Sequence, residues 1–204
     1  MHPDPHYTWH DVAAMRAFVA MRSFGTLFVS TPDGPCVAHV PAVALGEDRL
    51  AFHISRSNRI ARHLQGARAL FVVNGEDGYV SPDWYGIADQ VPTWNYVAVE
   101  MEGAVALMDE AALITQIDAL SAAHEARLAP KPAWTRDKMT PGLAERMVRA
   151  IEGFVLTVET WRGTAKLGQN KPEAVRLAAA QGMAATGHET LAAWMLDPRK
   201  LAQP

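Results

Sequence analysis

Residues 24–54 read FGTLFVSTPDGPCVAHVPAVALGEDRLAFHI, and this stretch decides the fold. It contains three runs rich in β-branched, aromatic and alternating apolar residues, at 24–30, 37–45 and 50–54. Turn-forming tripeptides separate these runs: Pro32-Asp33-Gly34 and Gly46-Glu47-Asp48. Strands joined by such short turns pair with their neighbours in the chain, so the stretch predicts a three-stranded antiparallel meander.

The rest of the chain predicts three more strands and six helical segments. The predicted strands lie at 69–73, 91–105 and 154–161. The predicted helices lie at 12–23 after an Asp11 cap, at 60–65, after Asp109, after Thr140, at 173–183 and at 188–196. Irregular connections are predicted at 74–90, 129–137 and 163–170. This order predicts an α+β fold with a closed or nearly closed antiparallel barrel.

Composition limits the classes of function. The 204 residues are 49% apolar and carry a net charge of −3, which gives no electrostatic attraction to nucleic acid or acidic membranes. The single cysteine, Cys36, follows Pro35 in an apolar run and is interpreted as a small buried hydrophobe. No targeting segment or bilayer-length apolar stretch is apparent, so a soluble cytoplasmic protein is expected. We expect no metal site at His2, His6 and His10, because intervening prolines prevent a helix there.

Three stretches carry polar and aromatic groups suited to a ligand. Residues 56–59 (RSNR) lie between a strand end and a helix start, where phosphate is attracted, although a solvated turn is the alternative. Residues 79–96 combine tryptophan and tyrosine with small polar side chains, which suits a flat ring system or ordinary packing. Residues 166–170 (KLGQN) offer one charge and two amides, or simply a hydrophilic loop. The sequence marks no catalytic acid or base.

Together these stretches resemble the PaiB family of FMN-binding negative transcriptional regulators. The resemblance spans about residues 1–182 and follows the family's order. It is carried by FGTL at 24–27, HVP at 39–41, His53 with Arg56 and Asn58, Tyr79 with SPDWY at 81–85, VPTWNY at 91–96, HE at 124–125, IEGF at 151–154, and KLGQN at 166–170. The runs VPTWNY and KLGQN are the most specific.

The resemblance implies a six-stranded antiparallel split β-barrel of the pyridoxamine-phosphate oxidase type, with flanking helices, that binds FMN between the subunits of a homodimer. It implies an FMN-binding domain at residues 1–182 and a helical tail at 183–204 packed on the same domain. The loop at Arg56 and Asn58 would face the phosphate. The implied cofactor contacts are His39, His53, Arg56, Asn58, Ser81, Trp84, Thr93, Trp94, Asn95, Lys166, Gln169 and Asn170.

Three hypotheses for function follow. The first is an FMN-binding transcriptional regulator, although no basic helix-turn-helix indicates DNA as a partner. The second is a flavin-dependent oxidoreductase using NAD(P)H. The third is a barrel that has lost its cofactor, because Asp83, Arg59 and Gly168 depart from the family pattern.

Overall fold

The computed structural model describes residues 2–202, which form seven strands and five α-helices. The strands are β1 (Thr8–Trp9), β2 (Phe24–Thr31), β3 (Gly34–Ala44), β4 (Arg49–Ser55), β5 (Arg68–Val80), β6 (Thr93–Leu107) and β7 (Ile151–Lys166). The helices are α1 (Val12–Arg22), α2 (Glu110–Glu125), α3 (Leu143–Val148), α4 (Glu173–Ala185) and α5 (Glu189–Leu196). Within residues 2–202, none of these helices is both long and apolar enough to cross a membrane.

Six of the strands form a closed ring of hydrogen-bonded neighbours. The sheet order is β1-β7-β4-β3-β2-β5-β6, and β6 also pairs with β7. The short β1 adds a seventh strand at β7, where Thr8 lies opposite Thr164. The prediction of an α+β fold with a six-stranded antiparallel split barrel is therefore confirmed.

The predicted meander is confirmed, and its register follows from the turns. Strands β2 and β3 pair from Phe24 opposite Pro41 to Thr31 opposite Gly34. Gly34 has a φ of 105°, a left-handed conformation that a glycine adopts without strain at this turn. Alternation along β2 buries Leu27 and Val29 while their neighbours on the strand face outward.

The chain divides into two compact units, through both of which β5, β6 and β7 run. Unit 1 comprises residues 1–22, 73–100 and 161–204, and unit 2 comprises 23–72 and 101–160. The core of unit 1 includes the fully buried Phe18 and Met183, and that of unit 2 contains a stacked pair, Phe52 and Phe154, with ring centroids 5.8 Å apart. The expected division into residues 1–182 and 183–204 stays a prediction.

Two of the three predicted helix caps are confirmed. The Asp11 carboxylate accepts a hydrogen bond from Ala14 N at 2.9 Å, and the Asp109 carboxylate accepts one from Ala112 N at 2.8 Å. The Thr140 cap is wrong, because α3 begins after Gly142, whose φ of 78° ends the preceding turn. The helix predicted at 60–65 is only a 3-10 turn, Ala61–His63.

Strand β5 corrects the irregular segment predicted at 74–90. It continues to Val80 through Asn74-Gly75-Glu76-Asp77-Gly78, whose glycines and acidic residues are poor strand formers. The glycines are required by packing, since a Cβ at Gly75 would lie 2.9 Å from Phe18 and one at Gly78 only 2.5 Å from Met183. Close tertiary contact therefore overrides local propensity.

Strand β7 corrects the loop predicted at 163–170. The strand runs to Lys166, with Gly163, Thr164 and Ala165 all buried, so only the last part of that segment is a loop. Pairing with β1 extends β7 beyond the predicted end, and the two-residue β1 was not predicted because it is too short to show a period.

Candidate functional site

The twelve predicted contacts are distributed over both units. His39, His53, Arg56 and Asn58 lie in unit 2. The other eight lie in unit 1: Ser81, Trp84, Thr93, Trp94, Asn95, Lys166, Gln169 and Asn170.

In unit 2, His39 lies on an exposed face of β2 and β3. Its Nδ1 is 3.1 Å from Oγ1 of Thr26, the residue directly opposite on β2. Because successive residues of a strand point to opposite sides, Phe24 and Phe28 share the face of Thr26, and Val37 shares the face of His39. These three apolar side chains are 56%, 37% and 40% exposed. The face therefore combines imidazole and hydroxyl groups with unusual apolar exposure.

His53, on β4, is held by a glutamine that sequence reasoning missed. Its Nδ1 lies 2.9 Å from Oε1 of Gln116 on α2, so Nδ1 carries the proton and donates to this oxygen. This leaves the other imidazole nitrogen, Nε2, as an acceptor in the neutral form. The available signal was the position of Gln116 three residues after Leu113, on the buried side of α2.

Burying Gln116 is costly to the fold. Its side chain is only 1% exposed, and Nε2 makes no hydrogen bond within residues 2–202. An unsatisfied buried donor costs about 1–3 kcal/mol. The fold therefore bears a penalty at a residue whose hydrogen bond orients His53.

Arg56 is anchored at the loop that follows β4. Its Nε donates to the carbonyl of Arg149 at 2.9 Å, and its Nη1 donates to Glu152 Oε1 at 2.6 Å. These two contacts fix the plane of the guanidinium, although Glu152 offsets its charge. The side chain remains 55% exposed, so it can still contact a ligand.

The same loop presents side chains more than backbone N–H groups. The backbone N–H groups of Arg56, Ser57 and Asn58 all donate to nearby protein oxygens. Asn58 Oδ1 accepts from Ile60 N at 3.2 Å, which leaves the amide nitrogen of Asn58 as a donor. The helix-dipole part of the phosphate prediction is not supported by the 3-10 turn, whereas hydroxyl, amide and guanidinium donors are all present.

Unit 1 contains a cavity that gathers four of the predicted contacts. Its volume is about 210 Å³. It is lined by His2, Asp4, Tyr7, Tyr85, Val91, Thr93, Asn95, Lys166, Gly168, Asn170 and Lys171. Tyr85 belongs to the aromatic stretch at 79–96, although it was not among the predicted contacts. Tyr7 and Lys171 were not predicted, because Tyr7 reaches the cavity from a turn distant in sequence.

Burial sets the electrostatics of this cavity. Desolvation lowers the pKa of Lys166, whose ammonium donates to Thr93 Oγ1 and lies 5.7 Å from the centroid of the Tyr7 ring. Desolvation also raises the pKa of the Tyr7 and Tyr85 hydroxyls, so both are neutral donors at neutral pH. Lys171 lies 5.1 Å over the Tyr85 ring and donates to Gln90 Oε1 at 2.6 Å.

The remaining four predicted residues of unit 1 do not line this cavity. Ser81 caps a short 3-10 turn by accepting from Asp83 N, and Trp84 packs against Gly182, where a Cβ would lie 2.4 Å from the indole. Gln169 accepts from Leu167 N at 2.7 Å and so closes its own loop. Trp94 is 50% exposed and donates to Asp77 at 2.9 Å, so it is not a core residue.

The departures from the family pattern have different surroundings. Asp83 is exposed in unit 1 and does not line the cavity there. Arg59 is exposed beside Asn58 and adds positive charge to that loop. Gly168 lines the cavity with a φ of 79°, where a larger residue would be strained.

The fold and the sequence together define the class of this protein. The chain belongs to the family described as "Putative FMN-binding domain", whose profile matches residues 1–160. It is a PaiB-like FMN-binding split-barrel protein.

Individual relatives agree with this class. The chain is 29% identical over 160 residues to protease synthase and sporulation protein PAI 2 of Bacillus subtilis (strain 168), covering 76% of each chain. The FAD and heme binding protein of Mycobacterium smegmatis has a TM-score of 0.59 at 19% identity, covering 85% of this chain and 80% of its own. The flavocytochrome Anf3 of Azotobacter vinelandii has a TM-score of 0.56 at 19% identity, and the match covers 80% of this chain and 72% of the flavocytochrome. At these identities, the structural matches show a shared fold.

Proposed function

We propose that the protein holds FMN on the exposed face of β2, β3 and β4 in unit 2. The observation that carries this proposal is that one strand face presents His39 beside exposed apolar side chains, while β4 leads into the polar loop at Arg56. Such a surface offers apolar contact and a few directed polar groups, which is what a flat, polar-edged ring requires. Bound FMN would supply a ring that accepts and returns electrons.

The loop after β4 fits the phosphate of FMN. The guanidinium of Arg56 is already oriented by Glu152, so little conformational entropy is lost when it donates to an anion. The hydroxyls of Ser55 and Ser57 lie 2.8 Å apart and can turn toward a phosphate oxygen. Arg59, exposed in the same loop, adds a second positive charge.

We further propose a homodimer that covers this face. Phe28 and Val37 lie directly opposite each other on β2 and β3 and form one exposed apolar area, and Phe24 adds a further exposed apolar side chain on the same face. Exposed apolar patches on a sheet face are typical of interaction sites. A second copy would bury this area and place the flavin between the subunits.

A comparison of FMN with riboflavin tests the phosphate contact. We expect the wild-type protein to bind FMN at least about tenfold more tightly than riboflavin, measured by quenching of flavin fluorescence. The R56Q variant should lose most of that difference, because its amide carries no charge, while riboflavin binding should be unchanged.

The matched control is R62Q, which removes an exposed arginine 3.7 Å from Asp33, outside the loop. It should keep the wild-type preference for FMN. An R56Q protein that still prefers FMN to the wild-type degree would show that the phosphate binds elsewhere.

A further inference from the structure

The cavity of unit 1 contains a lysine, Lys166, that forms no ion pair among the described residues 2–202. Within residues 2–202, the ammonium of Lys166 contacts the neutral hydroxyl of Thr93 and the Tyr7 ring, and no carboxylate accepts a hydrogen bond from it. Lys166 is partly buried, and the loss of water around its ammonium disfavours the charged form unless an anion lies close. The contacts of Lys166 therefore leave room for an anion.

The other cavity groups add donors and little negative charge. Lys171 brings a second ammonium. Asn95 is 2% exposed, and the one hydrogen bond that its carboxamide makes within residues 2–202 runs from Nδ2 to the Met195 sulfur at 3.5 Å. Asp4 is the one carboxylate among the lining residues, and it accepts from the backbone and ring nitrogens of His6, at 3.0 and 2.7 Å. The two lysines and one aspartate in the lining give the cavity a net positive charge.

The size of the cavity limits the ligand. About 210 Å³ lies below the roughly 300–1,000 Å³ of pockets that enclose drug-sized molecules, so a whole FMN does not fit inside it. A compact anion does fit inside this cavity. Gly168 lines this cavity with a φ of 79°, a conformation that disfavours any residue with a side chain at this point of the wall.

We propose that this cavity is a binding site for a small oxyanion, a carboxylate or phosphate group, held by Lys166, Lys171 and Asn95. The bound oxygen atoms would accept from the two ammonium groups and the buried amide, with the Tyr7 and Tyr85 hydroxyls as further donors. The site is separate from the FMN surface proposed on unit 2, and its existence does not depend on that surface. Four residues predicted as FMN contacts, Thr93, Asn95, Lys166 and Asn170, are thereby assigned to a smaller ligand.

The test is an NMR titration of the flavin-free protein with inorganic phosphate and, separately, with acetate. We expect saturable shifts of the Thr93, Asn95 and Gly168 amides with at least one of the two anions. The Lys166 ammonium should also titrate at higher pH when the anion is bound, because a neighbouring negative charge favours the charged amine. Shifts that stay linear with concentration for both anions would overturn the proposal.

Variants separate the cavity from general surface charge. K166M should weaken anion binding by about tenfold or more, whereas K200M, which removes an exposed lysine, should leave it unchanged. If K166M does not fold, K166R keeps the charge and should retain binding. Equal weakening by K166M and K200M would contradict a specific site.

Repeating the titration with FMN-saturated protein shows whether the cavity binds a free anion or the phosphate of FMN. Unchanged anion affinity in the presence of FMN supports a separate site, whereas loss of anion binding would assign the cavity to the flavin and overturn the proposal. A protein that binds no FMN would refute the proposed function, while the anion titration would still test the cavity.

Discussion

At the scale of single residues, Gln116 orients His53, a proposed flavin contact, at a cost to the stability of the fold. The glutamine is almost completely buried, and the one hydrogen bond that its side chain makes within residues 2–202 directs the His53 ring. Stability alone would favour an apolar side chain at this position, because an unsatisfied donor would disappear. A substitution at Gln116 can therefore separate the stability of the fold from the orientation of His53.

The Q116M variant should be more stable than the wild type and bind FMN less well. Removing the unsatisfied amide should raise the free energy of unfolding by about 1 kcal/mol, measured by urea denaturation. Loss of the acceptor for Nδ1 should free the His53 ring and weaken FMN binding several-fold. Q181M, on an exposed position of α4, is the control and should change neither quantity. Wild-type FMN affinity in Q116M would show that Gln116 does not position His53.

At the scale of elements, the structure separates what local sequence predicts from what packing decides. The meander and the Asp11 and Asp109 caps were predictable because turns, alternation and capping act over a few residues. The full lengths of β5 and β7 were not predictable in this way. In β5, Gly75 and Gly78 are poor strand formers that are required because they pack against Phe18 and Met183. In β7, the last residues pair with β1. A closed or nearly closed barrel was predicted from the order of the strands, but no local pattern shows that β6 pairs with β7 to close it.

Gly103 tests that closure directly. A Cβ at this position would lie 1.8 Å from the carbonyl oxygen of Thr157, so the two strands meet only because residue 103 is glycine. G103A should lower the free energy of unfolding by about 3 kcal/mol, at the upper end of overpacking effects. A104S adds an atom at the neighbouring exposed position and should be nearly neutral. Wild-type stability in G103A would contradict the β6–β7 approach.

At the scale of the whole molecule, the site was predictable as residue types and not as contacts. The resemblance predicts His39 and the loop at Arg56 as flavin contacts, which stays a prediction. The contacts of Gln116 with His53 and of Tyr7 with Lys166 join distant parts of the chain, and no local pattern predicts them. The hydrogen bond from Arg56 to Glu152, 96 residues away, is another contact that no local pattern predicts. A single sequence therefore predicts which polar residues are present but not which distant residues they contact.

The proposed dimer gives a prediction at this scale. Light scattering should give the wild type twice the chain mass of 22.3 kDa. The double variant F28E/V37E should give a single chain mass, because it places charges on the apolar face, and FMN should bind it more weakly. L128E introduces a charge at another exposed apolar residue and should remain dimeric. A wild type with the mass of one chain would exclude the dimer.

The most direct test of FMN binding on β2, β3 and β4 is a crystal structure of the complex with FMN. We predict the isoalloxazine over the Thr26–His39 pair within contact of His53, and the phosphate against the Arg56 guanidinium. A flavin bound wholly by unit 1 residues, with the Thr26–His39 face uncovered, would contradict this placement.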